Sequence, residues 1–171
     1  MRVWGPFLHH RSVAVYDRFL ANLSTILTKA EAHCTAKGIK PEAMLTFRLF
    51  PDMFPFVRQV QLACDFAARA AARLAGEEPK GFPDTETTFA ELQDRIRAAR
   101  GYMAGFEPAR YDGAEARAIT LKMRGQEVTL TGENFLNLYS LPQFHFHLTT
   151  AYNILRHNGV ELGKGDYMGA A

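Results

Sequence analysis

The stretch Gln143-Phe144-His145-Phe146-His147 is the polar run in this chain most suited to chemistry. Gln143 and His147 are four residues apart, so on a helix they share one face about one turn from each other. Two such side chains could ligate a divalent metal if a third ligand came from another helix. Imidazole suits Zn, Ni, Fe or Cu, whereas an amide oxygen serves most of these ions poorly. His145 is rotated by about 200° from His147 at 100° per residue, so the two cannot share one mononuclear site. His147 lies beside the apolar row Phe144, Leu148 and Ala151 and therefore faces the interior. Two readings of it stand side by side. In one it is a core-edge histidine bonded to a carbonyl or to Tyr152. In the other it meets Arg58 and Gln59 across the helices in a pocket walled by Phe54, Phe56, Phe144 and Phe146. The candidate pocket is thus Arg58, Gln59, Gln143, His147 and Tyr152. No metal or other cofactor is expected, with His147 and Gln143 the two donors available should Zn or Ni bind.

Other polar groups have simpler readings. Arg58, Gln61 and Asp65 are spaced three and four apart and read as a solvated stripe, or as an ion pair of Arg58 with a carboxylate. His145 reads as a solvent or interface histidine. His157 and Arg156 sit where exposed helix-end carbonyls favour a cation. Cys34 and Cys64 belong to no CxxC or metal-type pair and read as reduced, largely buried thiols. No phosphate-cradling Gly-rich loop, HExxH or GxSxG occurs.

The elements that must position these residues are helical. Tyr16, Phe19, Leu20, Leu23, Ile26, Leu27 and Ala30 recur at helical steps, predicting a first helix from about Ser12 to Lys37 that stops at Gly38. Residues 42–50 read as a short helix or bend. A second long helix is predicted from Asp52 as N-cap to Leu74, with Pro55 in its first turn. Its C-terminal half is rich in alanine, which invites close approach by another helix. Thr88-Phe89-Ala90-Glu91 is a capping box, opening a third helix with the seam Phe89, Leu92, Ile96, Ala99, Met103 and Phe106. Residues 118–123 and 127–130 alternate in period two across a Gly-containing turn and predict a β-hairpin. Two strands alone are marginal, so the hairpin must lie on the helices or on a partner chain. The last helical segment starts near Thr131, is expected to reset at Leu141-Pro142, and stops at Asn158-Gly159-Val160. The fold class is therefore all-α: an antiparallel four-helix bundle with a short β-hairpin between helices three and four. Residues 1–171 read as a single domain, with 1–11 a lead-in and 161–171 an irregular tail.

Composition sets outer bounds. The chain has 171 residues, 47% hydrophobic and 22% charged, enough to bury a core without staples. A net charge of +2 with arginines interspersed among acids leaves no footprint for nucleic acid. No secretory signal and no run of ~18 apolar residues is present, so a cytoplasmic protein with no membrane partner is expected.

Three motifs also carry a resemblance. Residues 50–61 (FPDMFPFVRQVQ), 86–92 (ETTFAEL) and 141–160 (LPQFHFHLTTAYNILRHNGV) resemble the second-helix, third-helix and last-helix signatures of an uncharacterised bacterial family. That family is a domain of unknown function in the DinB/YfiT-like superfamily of metalloenzymes, and the likeness runs from about Val13 to Lys164. It implies a four-helix bundle, frequently a homodimer. It also implies a divalent metal held by one His of the second helix and an HxxxH pair on the fourth, in some members serving thiol-dependent S-transfer. Here Gln143 and Ala151 flank His147 at the positions of the pair, and the second helix has no His. The resemblance thus implies the scaffold and leaves the three-His site unformed. Two functions follow as expectations: small-molecule binding or acid/base chemistry around His147, or a non-catalytic, dimeric, structural, interaction or stress-related bundle.

Overall fold

The computed structural model describes residues 7–169. The chain is mostly helical, with one two-stranded antiparallel hairpin. Helix α1 runs over residues 7–37, passing through a π-helical turn at His10–Ala14. It ends where Gly38 takes a left-handed conformation (φ 64°) and the Ile39 N–H donates back to the Cys34 carbonyl at 2.9 Å. The helix begins well before Ser12, within the expected lead-in, because Leu8 is an anchor with no exposed surface. Ser12, the expected start, lies within the helix, where its hydroxyl donates to the Leu8 carbonyl at 2.6 Å.

A short helix α2 (Pro41–Leu45) opens with proline in its first turn. Helix α3 (Phe56–Ala75) starts three residues later than the Asp52 cap predicts, with Pro55 at the N-cap position. Proline at 55 pushes residue 54 out of helical backbone, so the helix cannot begin upstream of it. Asp52 lies instead in the exposed turn closed by Met53 N–H on the Phe50 carbonyl at 3.0 Å. Ala63, Ala67, Ala68, Ala70, Ala71 and Ala72 are all fully buried, so α3 is enclosed on several sides and its small side chains let neighbours approach.

Helix α4 (Phe89–Ala104) carries the capping box: the Glu91 N–H donates to Thr88 Oγ1 at 3.1 Å, and the Glu91 carboxylate accepts from the Thr88 N–H at 3.0 Å. A 3₁₀ turn (Pro108–Tyr111) follows, with the Tyr111 hydroxyl on the Ala71 carbonyl at 2.9 Å. Strands β1 (Ala118–Met123) and β2 (Gln126–Thr131) pair across a two-residue turn with φ of 49° at Arg124 and 83° at Gly125. Both turn residues are left-handed, the backbone that matches strand twist in a tight hairpin. Ile119 and Leu121 of β1 are buried, so the hairpin lies on the chain's own helices.

Helix α5 spans residues 132–157, capped by Thr131 Oγ1 accepting from the Asn134 N–H. The break expected at Pro142 is a change of helix type instead. A π-helical segment (Phe135–Ser140) precedes it, and α geometry resumes at Leu141. The wider turn accommodates the missing N–H without stopping the helix. Gly159 (φ 86°) ends it, with Val160 buried and bonded to Leu155.

The tail is not irregular throughout. Helix α6 (Lys164–Met168) docks on α1 through Asn22 Nδ2 on the Tyr167 carbonyl (2.9 Å) and Lys29 on Asp166 (2.6 Å). Around the core, α3 packs between α4 and α5, α1 packs on α4, and the buried Tyr16 hydroxyl reaches Ser140 of α5 at 2.8 Å. Cys34 and Cys64 are both buried and free, and burial pushes the Cys64 thiol up to about 12. Among the described residues no helix is long and apolar enough to cross a membrane.

Candidate functional site

Helices α3 and α5 bring Gln59 and His147 together. The imidazole is 7% exposed and lies parallel to the ring of Phe66 (centroids 5.5 Å, 12°), with Phe146 edge-on at 5.2 Å. Its Nδ1 is 2.8 Å from Gln59 Oε1, and Gln59 Nε2 donates to the Phe54 carbonyl at 3.0 Å. These two bonds determine a protonation state. A carbonyl can only accept, so the Gln59 amide must turn its NH₂ to Phe54 and its oxygen to His147. Nδ1 therefore carries the hydrogen and Nε2 carries the lone pair. Burial holds the imidazole down to about 4, with the Arg58 charge a smaller cause of the same sign. The ring is neutral at pH 7. Among the described residues Nε2 makes no hydrogen bond, and it is not sealed from solvent.

The remaining pocket residues disperse. Arg58 does not bond His147. It pairs with Asp84 of the loop between α3 and α4 and donates to Gln61 at 3.2 Å, with its guanidinium 5.9 Å above the Phe54 ring. Gln143 is half-buried on α5 and makes no hydrogen bond to His147. Tyr152 is a neighbour of neither: it packs edge-on to Tyr167 of α6 at 6.0 Å, on the side of α5 that faces the tail. His145 is not a solvent histidine. It is half-buried against Phe19, with Nδ1 3.0 Å from the Tyr167 hydroxyl, and burial lowers its pKa.

The Arg58, Gln61 and Asp65 stripe is not a solvated face either. Asp65 and Arg95 are each 3% exposed and 2.5 Å apart. Arg95 also reaches Glu86 at 3.0 Å, Asp84 at 3.2 Å and the Pro83 carbonyl at 2.9 Å, with the Phe82 ring 5.1 Å away. Gln61 Nε2 donates to Glu86 at 2.8 Å. Sequence reasoning missed Arg95, although its place three residues after Leu92 and four before Ala99 puts it on the α4 seam. It also missed Phe66, which lies seven residues after Gln59 and so on the same face of α3.

The residues present do not fit the three-His metal site. His147 spends Nδ1 on Gln59, the positions four residues to either side are Gln143 and the fully buried Ala151, and α3 offers an amide where an imidazole would be needed. Among the described residues no three of His, Cys, Asp and Glu come together as a metal-ligating group.

Comparison with known proteins accords with this scaffold. No curated protein matches the chain. A crystal structure of a DinB family member protein from Shewanella denitrificans at 1.83 Å resolution is 42% identical, with a TM-score of 0.91 over 96% of this chain and 93% of that one. The family model described as a domain of unknown function, DUF1993, matches residues 8–168. The chain belongs to this DUF1993 family and is DinB-like in sequence and fold.

Proposed function

We propose that the long helices form an antiparallel four-helix bundle whose crevice between α3 and α5 recognises a small molecule through the bare Nε2 of His147. The observation that carries this reading is the bond pair Phe54 carbonyl–Gln59–His147, which leaves the solvent-reachable Nε2 as a fixed hydrogen-bond acceptor. Recognition is favoured over acid/base catalysis by magnitude. A general base works best with a pKa near the operating pH, and an imidazole held at about 4 is a weak base at pH 7. It accepts a hydrogen bond without taking the proton. The ligand is then a molecule with an N–H or O–H donor and an apolar body seated against Phe66 and Phe146.

The test is a ligand-observed NMR screen of uncharged donor-bearing fragments, repeated on His147→Gln. Hits that weaken at least tenfold in the variant support the reading. A screen in which no hit depends on His147 overturns it.

A second reading, a homodimeric interaction protein without catalysis, is favoured by one observation. Phe146 (59% exposed), Phe54 (54%), Phe50 and Leu138 present apolar surface to solvent. Sedimentation of the wild type and of Phe146→Ser with Leu138→Ser tests it. A dimer weakened by the substitutions supports it, and a monomer at every concentration contradicts it.

A further inference from the structure

A second cleft, which Phe66 also lines, lies between α3, the hairpin and the π-helical segment of α5. Its volume is about 250 Å³. Arg69 and Arg73 line it from α3 and Lys122 from β1, beside Phe66, Phe135 and Tyr139. No Asp or Glu lines it. Arg69 has Asp65 as a partner at 3.0 Å, but Asp65 already belongs to the buried Arg95. Arg73 is half-buried and, among the described residues, has no ion pair; its pKa is lowered by burial first and by Arg69 second. Glu78 and Tyr139 act on it in the opposite direction as lesser causes.

Arg69, Arg73 and Lys122 thus all line one small concavity, and the carboxylates near them lie outside it: Asp65 beside Arg69, Glu78 near Arg73 and Glu127 opposite Lys122 across the hairpin. Like charges one helical turn apart repel, and burial of an unpaired guanidinium adds to the cost. A bound anion would relieve both. The walls are built to receive an apolar body as well. Phe135 and Tyr139 stack at 5.9 Å (29°), and Phe66 meets Tyr139 edge-on at 6.0 Å. The π-helical turn contributes three of its six residues, Phe135, Tyr139 and Ser140, to this lining. The Ser140 hydroxyl is occupied by Tyr16, whereas the Tyr139 hydroxyl makes no hydrogen bond among the described residues. The volume lies below the ~300–1,000 Å³ of sites for drug-sized ligands, which limits the occupant to about one ring.

We infer that this cleft is a binding site for a small organic anion, a carboxylate or phosphate on a single-ring apolar body. Arg73 and Lys122 hold the charge and Phe66 and Tyr139 hold the ring. The inference does not depend on ligand recognition by His147.

Titration of the full chain followed by ¹H–¹⁵N NMR tests it, with benzoate, phenyl phosphate, inorganic phosphate and neutral benzyl alcohol as probes. The expected result is that benzoate or phenyl phosphate shifts the amide signals of Arg73, Lys122 and Tyr139, and the tighter of the two identifies the headgroup. Benzyl alcohol and inorganic phosphate should each bind at least tenfold more weakly. Arg73→Gln should weaken the organic anion at least fivefold, while Arg97→Gln on the exposed face of α4 leaves it unchanged. Should Arg73→Gln fold poorly, Lys122→Gln on the exposed hairpin serves in its place, with a loss of at least twofold expected. Absence of any binding, inorganic phosphate binding as tightly as phenyl phosphate, or affinities unmoved by both substitutions would overturn the inference.

Discussion

At the scale of the residue, the tautomer of His147 follows from an amide two bonds away. Gln59 cannot turn over without setting its oxygen against the Phe54 carbonyl, so its orientation is held and the histidine must donate from Nδ1. Gln59→Glu is expected to replace that acceptor with a carboxylate at the same distance. An opposite charge within ~4–6 Å raises an imidazole pKa by about 1–3 units, and an NMR pH titration of the His147 ring checks it. That Gln59 and His147 meet was legible in the sequence, because the seams of the second and last helices bring these positions to one interface. The dispersal of Arg58 and Tyr152 was not. Arg58 is drawn away by Asp84, and Tyr152 by Tyr167, and both partners lie in segments without periodicity to read.

At the scale of the element, the irregular stretch between α3 and α4 is held by one buried cation. Arg95 ties Asp84, Glu86 and the Pro83 carbonyl to Asp65. Removing it strands Asp65, with a side chain 4% exposed, on the single exposed partner Arg69. Arg95→Met is expected to cost about 3–5 kcal/mol in urea unfolding, the range for breaking a buried pair. Faster amide exchange over residues 82–87 should accompany the loss. Helix starts and stops with local chemistry, such as the Thr88 box and Gly38, were readable from the sequence because their signals lie within four residues. The early start of α1 and the docking of α6 were not, because Leu8 and Tyr167 gain their burial and bonds from residues far along the chain.

At the scale of the whole molecule, buried neutral histidines make stability depend on pH. Folding lowers the pKa of His147 from 6.5 to about 4, and burial also lowers those of His9 and His145. Between those limits the unfolded chain binds more protons than the folded one, so stability rises with pH across that window and levels off above about pH 7. At ~1.4 kcal/mol per unit the His147 shift corresponds to about 3 kcal/mol, lost progressively as pH falls from 6.5. Thermal unfolding of the wild type and of His147→Gln between pH 4 and pH 8 checks this, with a flatter profile expected for the variant. The most direct test of the neutral, Nδ1-protonated His147 is a multiple-bond ¹H–¹⁵N spectrum of its ring recorded from pH 4 to pH 8. The expected result is a protonated Nδ1 and a bare Nε2 at pH 6, with no titration above about pH 5. A hydrogen on Nε2 with a bare Nδ1, or a midpoint near the unperturbed ~6.5, would contradict it.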